Sequence, residues 1–169
     1  GYSRFRLRRR WKSGFNRGSG IAMMKVREAA IEDLPVIIVL MKKNNEPLNE
    51  DLAVFFTAKN PNEEHKLFVA EKNGKIIGFS RVHFYRWNKS AYAINLLVDS
   101  KYRRKGIGTL LLKTMEEFAK EKRARVLMFD TAIDNIPALN LYFKNGFKIC
   151  GYNNKLYDDK TALYLAKEL

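Results

Sequence analysis

The sequence predicts a domain of the α/β class with an α+β mixed sheet, mostly antiparallel, and three observations carry that expectation. Two β-rich runs meet at Asn73-Gly74, the dipeptide that favours a tight hairpin turn. A third run, SAYAINLLVD, follows after only a short turn, so strands succeed one another with no helix between them. Between that run and RVLMFDTA lies one amphipathic helix, a crossover long enough to bring its two flanking strands parallel.

In chain order, KVREA reads as a short first strand. In AIEDLPVIIVLMKKN, Asp33 is expected to cap a helix whose first turn holds Pro35 and whose apolar face is Leu34, Ile37, Ile38 and Met41. NEDLAVFFTAKNP reads as a second helix closed by Asn60 and Pro61. KLFVAEKNGKIIGFSRVHFYRW is the hairpin, and SAYAINLLVD extends it to three meandering strands. Ile107, Leu111, Met115 and Phe118 then fall on one helix face, with Lys113, Glu116, Glu117 and Lys120 off it. RVLMFDTA is a buried strand, DNIPALNLYFKNGF a short helix stopped at Asn145-Gly146, and FKICGYNNKLY with TALYLAKEL a last hairpin.

Composition fits one globular domain: 46% of the 169 residues are hydrophobic, and no run approaches the roughly 18 apolar residues of a membrane span. A single cysteine, Cys150, excludes an internal disulfide and a cysteine-based metal site, and points to a reducing cytoplasm. His65 and His83 lack metal-ligand spacing, so no metal is expected. The net charge of +14 suggests nucleic acid, but residues 1–23 carry seven Arg/Lys and no acid, which leaves +7 on the rest. That leader ends in GSG before a start-like Met24. Residues 1–23 are therefore expected to be a basic, vector-encoded extension dispensable for catalysis, outside a single domain of residues 24–169. The alternative is an arm with Tyr2, Phe5, Trp11 and Phe15 among its arginines, able to bind RNA, an anionic membrane or a partner groove.

The chemistry concentrates in RRKGIGTLLLKTMEEFAK. A purely structural helix start would carry Ser, Thr, Asp or Asn and early acids, whereas this one carries Arg103, Arg104 and Lys105 where the macrodipole disfavours cations. A helix N-terminus with Gly106 and Gly108 presents free backbone N–H groups that a ligand can approach closely, and the added cations make that ligand a polyanion. No GK[ST] follows, so it is not a Walker loop.

Two motifs carry a resemblance. LLVDSKYRRKGIGTLLL is similar to the acetyl-CoA pyrophosphate motif of the GNAT superfamily of N-acetyltransferases, Arg/Gln-x-x-Gly-x-Gly/Ala after the fourth strand. NIPALNLYFKNGF resembles that family's Asn-x-x-Ala-x-x-Leu-Tyr-x-x-x-Gly-Phe signature. The resemblance covers residues 25 to 169, and departs from the family at Ser100, where proline is common. It implies the GNAT-type fold, with helices on both faces and a parallel pair splayed around acetyl-CoA. It also implies transfer of an acetyl group from acetyl-CoA to a primary amine; a monomer or homodimer is expected, with no membrane partner and nucleic acid disfavoured.

Carried over by residue, the resemblance implies that backbone N–H groups of Arg104, Lys105, Gly106, Ile107, Gly108 and Thr109 hold the pyrophosphate. Arg103 and Arg104 would add charge-assisted hydrogen bonds, each worth roughly 1.5 to 3 kcal/mol. Leu97 and Val98 would pair their backbone with the pantetheine arm, Val98 N–H would stabilise the oxyanion, and Tyr142 would protonate the leaving thiolate. Asn135 and Tyr142, two turns apart on one helix, would both face the arm, although Asn135 also suits the helix N-cap and Tyr142 the core. SAYAINLLV carries no Asp or Glu to act as general base, which leaves Glu71, His83 or ordered water. Neutralising an α-amine at pH 7 costs about 1 kcal/mol and a lysine about 4.6 kcal/mol, so α-amines or small amines rank first as acceptors. Glu46, Glu50, Asp51, Asp158 and Asp159 would attract a cationic acceptor, with Tyr85, Trp87, Tyr92, Tyr152 and Tyr157 as aromatic walls. The rival readings are a non-catalytic acyl-CoA-binding module and a basic nucleic-acid-binding protein.

Overall fold

The structure, a computed structural model, describes residues 24–46, 52–57 and 59–169. The expectations for residues 1–23 and for Glu50 and Asp51 lie outside these. The strands are β1 (Met24–Glu28), β2 (Glu63–Lys72), β3 (Lys75–Tyr85), β4 (Ser90–Val98), β5 (Val126–Ala132), β6 (Lys148–Asn153) and β7 (Ala162–Glu168). The helices are α1 (Leu34–Lys43), α2 (Val54–Thr57), α3 (Ile107–Glu121) and α4 (Ile136–Lys144). One open sheet runs β1-β2-β3-β4-β5-β7-β6, and every neighbouring pair is antiparallel except β4 with β5.

Strand alternation divides the core between the two faces of the sheet. Phe68, Ala70, Val82 and Phe84 point to one side, where Ile107, Leu111, Met115 and Phe118 of α3 meet them. Leu67, Val69, Phe79 and Leu97 point to the other, against Ile37, Leu40 and Met41 of α1. Ile37, Leu111 and Met115 are completely buried, and full burial of such a side chain contributes roughly 1.5–3 kcal/mol. Asn73 and Gly74 both have positive φ, as the predicted tight turn requires. Among the described residues no helix is long and apolar enough to cross a membrane.

Four local expectations change. Asp33 makes no capping bond to α1; its carboxylate accepts from Ala30 N at 2.8 Å and from the Arg27 guanidinium at 2.6 and 2.9 Å. A charged fork outcompetes a helix cap. The described part of the second helix is only the single turn α2, and β2 starts at Glu63 because 63–65 find partners in 83–85 of β3. Glu116, expected off the apolar face, is buried because Lys120 and Lys167 bind its two oxygens at 2.7 and 2.8 Å.

One irregularity positions the site. Arg81 pairs with Asn95 and Val82 with Ala93, so Ile94 is an extra residue in β4 and bends it. β4 pairs with β5 only at Ser90, Ala91 and Tyr92; beyond that β5 stays with β7 and β4 with β3. A wedge opens between the parallel strands, each with a free edge.

Candidate active site

Hydrogen-bond parity decides which groups face the wedge. Asp99 N donates to Ile77 O at 2.8 Å, so Ile77 and Asp99 form a hydrogen-bonded pair, as do Phe79 and Leu97 two residues on. Leu96 and Val98 therefore turn their N–H and C=O groups away from β3 and into the wedge, while the backbone of Leu97 faces β3. Of the two residues expected to offer backbone to a bound arm, Val98 is oriented to do so. Leu97 contributes a buried side chain to the α1 side of the core.

The turn after β4 delivers the start of α3 to the mouth of this wedge. Gly106, at φ +81, is the N-cap and has no side-chain capping bond. Leu110 N is the first amide satisfied inside the helix, on Gly106 O at 3.0 Å, so the amides of Ile107, Gly108 and Thr109 have no intrahelical partner. Arg104, itself at φ +59, and Lys105 are exposed beside them. Gly108 serves packing: a Cβ there would lie 3.3 Å from Leu141 Cδ2 of α4. Arg103 points elsewhere, donating from Nε to Val98 O at 3.1 Å and from Nη2 to Asn44 Oδ1 at 3.0 Å.

Across the wedge lies a cleft of about 470 Å³. It is lined by Met41, Glu46 and Leu52, by Arg81, Ile94, Asn95 and Leu96 of β3 and β4, by Asp130, Thr131 and Ala132 of β5, and by Asn135, Ala138, Tyr142 and Tyr157. Asn135 caps α4 by accepting from Ala138 N at 3.4 Å, and its side chain still borders the cleft. Tyr142 is 5% exposed, and its ring stacks on Phe129 at a centroid distance of 4.3 Å. Among the described residues its hydroxyl has no hydrogen-bond partner. Burial, then the negative charge of Asp130, push this phenol well above its ordinary pKa, so it stays protonated.

Among the described residues, two carboxylates reach the cleft. Burial raises the pKa of Glu46, with the nearby Arg103 charge opposing. Asp130 accepts hydrogen bonds from Tyr92 through Oδ1 and from Tyr157, at 2.6 Å, through Oδ2. Asp130 escaped sequence reasoning, which found no acid in β4 and turned to Glu71 and His83 without considering β5. The available signal was a lone acid inside RVLMFDTA, between the buried Phe129 and Thr131.

The two bases suggested from the sequence, Glu71 and His83, lie away from the cleft lining. Burial raises Glu71, but Arg27 and Lys25 outweigh it and hold the carboxyl below its ordinary range at the β1–β2 edge. His83 packs with His65 and Phe55, at centroid distances of 5.5 Å each. Tyr85 lies beside His83, Trp87 and Tyr152 are 81% and 72% exposed, and Asp158 and Asp159 are exposed on the β6–β7 connection.

The sequence profile described as the acetyltransferase (GNAT) family matches residues 24–147. An N-alpha-acetyltransferase of Sulfurisphaera tokodaii is 31% identical over 153 residues, 83% of this chain and 90% of that protein. A streptothricin acetyltransferase of Streptomyces lavendulae is 30% identical over 115 residues, 64% of this chain and 61% of the relative's own length. Among solved structures, the ribosomal-protein-S18-alanine N-acetyltransferase from Escherichia coli superposes with a TM-score of 0.72 at 20% identity, covering 86% of this chain and 94% of that one. A putative streptothricin acetyltransferase from Bacillus anthracis in complex with acetyl coenzyme A gives 0.69 at 25% identity, covering 86% and 98%.

Proposed function

The chain belongs to the acetyltransferase (GNAT) family and is an acetyl-CoA-dependent N-acetyltransferase; from that premise we propose that its acceptor is an α-amine, of a protein or peptide N-terminus or a small molecule, in preference to a lysine side chain. The observation that carries this is Glu46, a cleft carboxylate with its pKa raised only by partial burial. A carboxylate in the cleft can accept the proton of an ammonium of pKa about 7.7 to 8.0, whose neutralisation at pH 7 costs only about 1 kcal/mol. A lysine at about 10.4 would ask for about 4.6 kcal/mol. The Sulfurisphaera tokodaii relative is named for the same kind of acceptor.

The residues present suit acetyl-CoA: unpartnered amides at an uncapped helix start for a pyrophosphate, and a strand edge turned into the wedge for an extended amide arm. When bound, acetyl-CoA supplies an acetyl group activated as a thioester. Ile107, Gly108 and Thr109 hold the pyrophosphate through their N–H groups, with Arg104 and Lys105 adding positive charge. Val98 N–H faces the wedge, where it receives the negative charge that develops on the carbonyl oxygen. Glu46 removes the proton from the acceptor ammonium. Asp130, fixed by the phenols of Tyr92 and Tyr157, adds negative charge on the acceptor side; as the amine nitrogen bonds to the acyl carbon and the C–S bond breaks, Tyr142 would give its proton to the sulfur and be restored by the second proton that the acylated nitrogen loses.

Gly106→Val tests the donor half. A β-branched residue at φ +81 costs about 1–2 kcal/mol of backbone strain and distorts the turn, although a Cβ there would meet nothing within 4 Å. Calorimetry should record acetyl-CoA affinity at least about tenfold weaker in a folded variant, since lost amide contacts are worth about 1.4 kcal/mol or more.

The acceptor half is tested with two peptides of matched sequence, one with a free N-terminal alanine and no lysine, the other N-terminally blocked with one lysine. Mass spectrometry after incubation with acetyl-CoA should find the first acetylated at least about tenfold faster. Faster acetylation of the blocked peptide would overturn the α-amine reading. Two carboxylates in one cleft favour a second reading, a small polycationic amine such as streptothricin, and adding streptothricin as competitor to the same assay separates the two.

A further inference from the structure

Arg103, Arg104 and Lys105 look equivalent in the sequence, yet the fold sets Arg103 apart. Its guanidinium bridges two elements, Val98 O at the end of β4 and Asn44 Oδ1 just past α1. A second tie runs beside it, from Lys43 Nζ to Asp99 Oδ1 and Oδ2 at 3.0 and 2.8 Å. Asp99 in turn accepts from Lys101 N at 3.1 Å and so shapes the turn that leads to Gly106. On the α1 side, Asn44 Nδ2 donates to Leu40 O at 2.8 Å and Glu46 N to Met41 O at 3.0 Å. Residues 43–46 thus form one short unit. Two of its side chains are fixed to the donor turn, and a third, Glu46, stands in the acceptor cleft.

We propose that Arg103 is a positioning residue for the acceptor side: it clamps the end of α1 to the end of β4 and so fixes Glu46 relative to Val98 N–H, and it is not a pyrophosphate ligand. This rests on the reading of Glu46 as the base. The planar guanidinium holds two acceptors in one geometry, which a flexible ammonium cannot reproduce. A base displaced by about 1 Å can lose about 10²-fold in rate. Arg103 also brings positive charge toward Glu46; among the described residues, the other charged or titratable groups lining the cleft are Arg81 on β3, Asp130 on β5, Tyr142 on α4 and Tyr157 after β6.

The test uses Arg103→Ala, Arg103→Lys, Asn44→Ala and the Arg103→Ala/Asn44→Ala double variant of the full chain, each checked by thermal melting. Calorimetry measures acetyl-CoA affinity, and initial rates are taken with a short peptide bearing a free N-terminal alanine. Each variant should keep acetyl-CoA affinity within about threefold while kcat/KM for the peptide falls about tenfold, and the double variant should be no worse than the poorer single one. The two variants that lack the Arg103 charge, Arg103→Ala and the double variant, should also move the acid limb of the pH profile to higher pH, whereas Arg103→Lys and Asn44→Ala retain the charge and should not. Additive losses would overturn the proposal. So would acetyl-CoA binding more than about tenfold weaker in Arg103→Ala with peptide kinetics intact at saturating acetyl-CoA. Should Glu46→Gln keep the full rate, the base assignment fails, while non-additivity between Arg103 and Asn44 would still establish the clamp.

Discussion

Tyr142→Phe is expected to lower kcat by about 10² to 10⁴ while leaving acetyl-CoA affinity nearly unchanged, because only the proton donor to the departing sulfur is lost. The ring stays stacked on Phe129, and the hydroxyl it loses has no protein hydrogen bond among the described residues. Stability should therefore change by less than about 1 kcal/mol, which thermal melting checks. A thiol near pKa 8.5 leaves tolerably as its anion, which favours the lower end of the rate loss. The loss should shrink further with an acyl donor whose thiol is more acidic. Burial holds the phenol above its ordinary pKa of 10.0, so the wild-type kcat profile should show no alkaline limb from Tyr142 up to pH 10. A wild-type kcat in Tyr142→Phe would leave it a packing residue, with solvent protonating the thiolate.

Glu46→Gln should separate activity from stability. Removing the base should cut kcat/KM for an α-amine peptide by about 10² to 10⁴. The stability effect has the opposite sign. The folded-state pKa of Glu46 is raised from 4.5, so the stability linked to its protonated form is fully present below the unfolded value and is lost as pH rises through the folded one. At pH 7 the wild type bears that loss and the neutral glutamine does not. Melting temperature at pH 7 should therefore rise in the variant, and the gain should vanish below about pH 4.5. A variant equally active, or less stable at pH 7, would contradict the assignment.

The parts legible in the sequence are those set by near neighbours. The Asn73-Gly74 turn, the apolar face of α3 and the stop of α4 at Gly146, φ +88, each depend on a few adjacent residues. The sheet order does not: β7 inserts between β5 and β6, a choice made by pairing across the chain. The same distinction runs through the site. Gly106 and the uncapped amides after it are a local feature, readable from the few residues around them. The role of Arg103 depends on Asn44, 59 residues away, and that of Asp130 on Tyr92 and Tyr157, 38 and 27 residues away. Glu46 was legible as an acid near the first helical connection, but the cleft it lines is completed by Ile94, Asn95 and Leu96 of β4 and Asp130 of β5, far from it in the chain.

Amide hydrogen exchange with and without acetyl-CoA locates the donor directly. If the pyrophosphate lies on the uncapped start of α3 and the thioester end on the open edge of β4, the amides of Ile107, Gly108, Thr109 and Val98 should become protected together at saturating acetyl-CoA. Bound acetyl-CoA with no added protection at those four amides would contradict that placement.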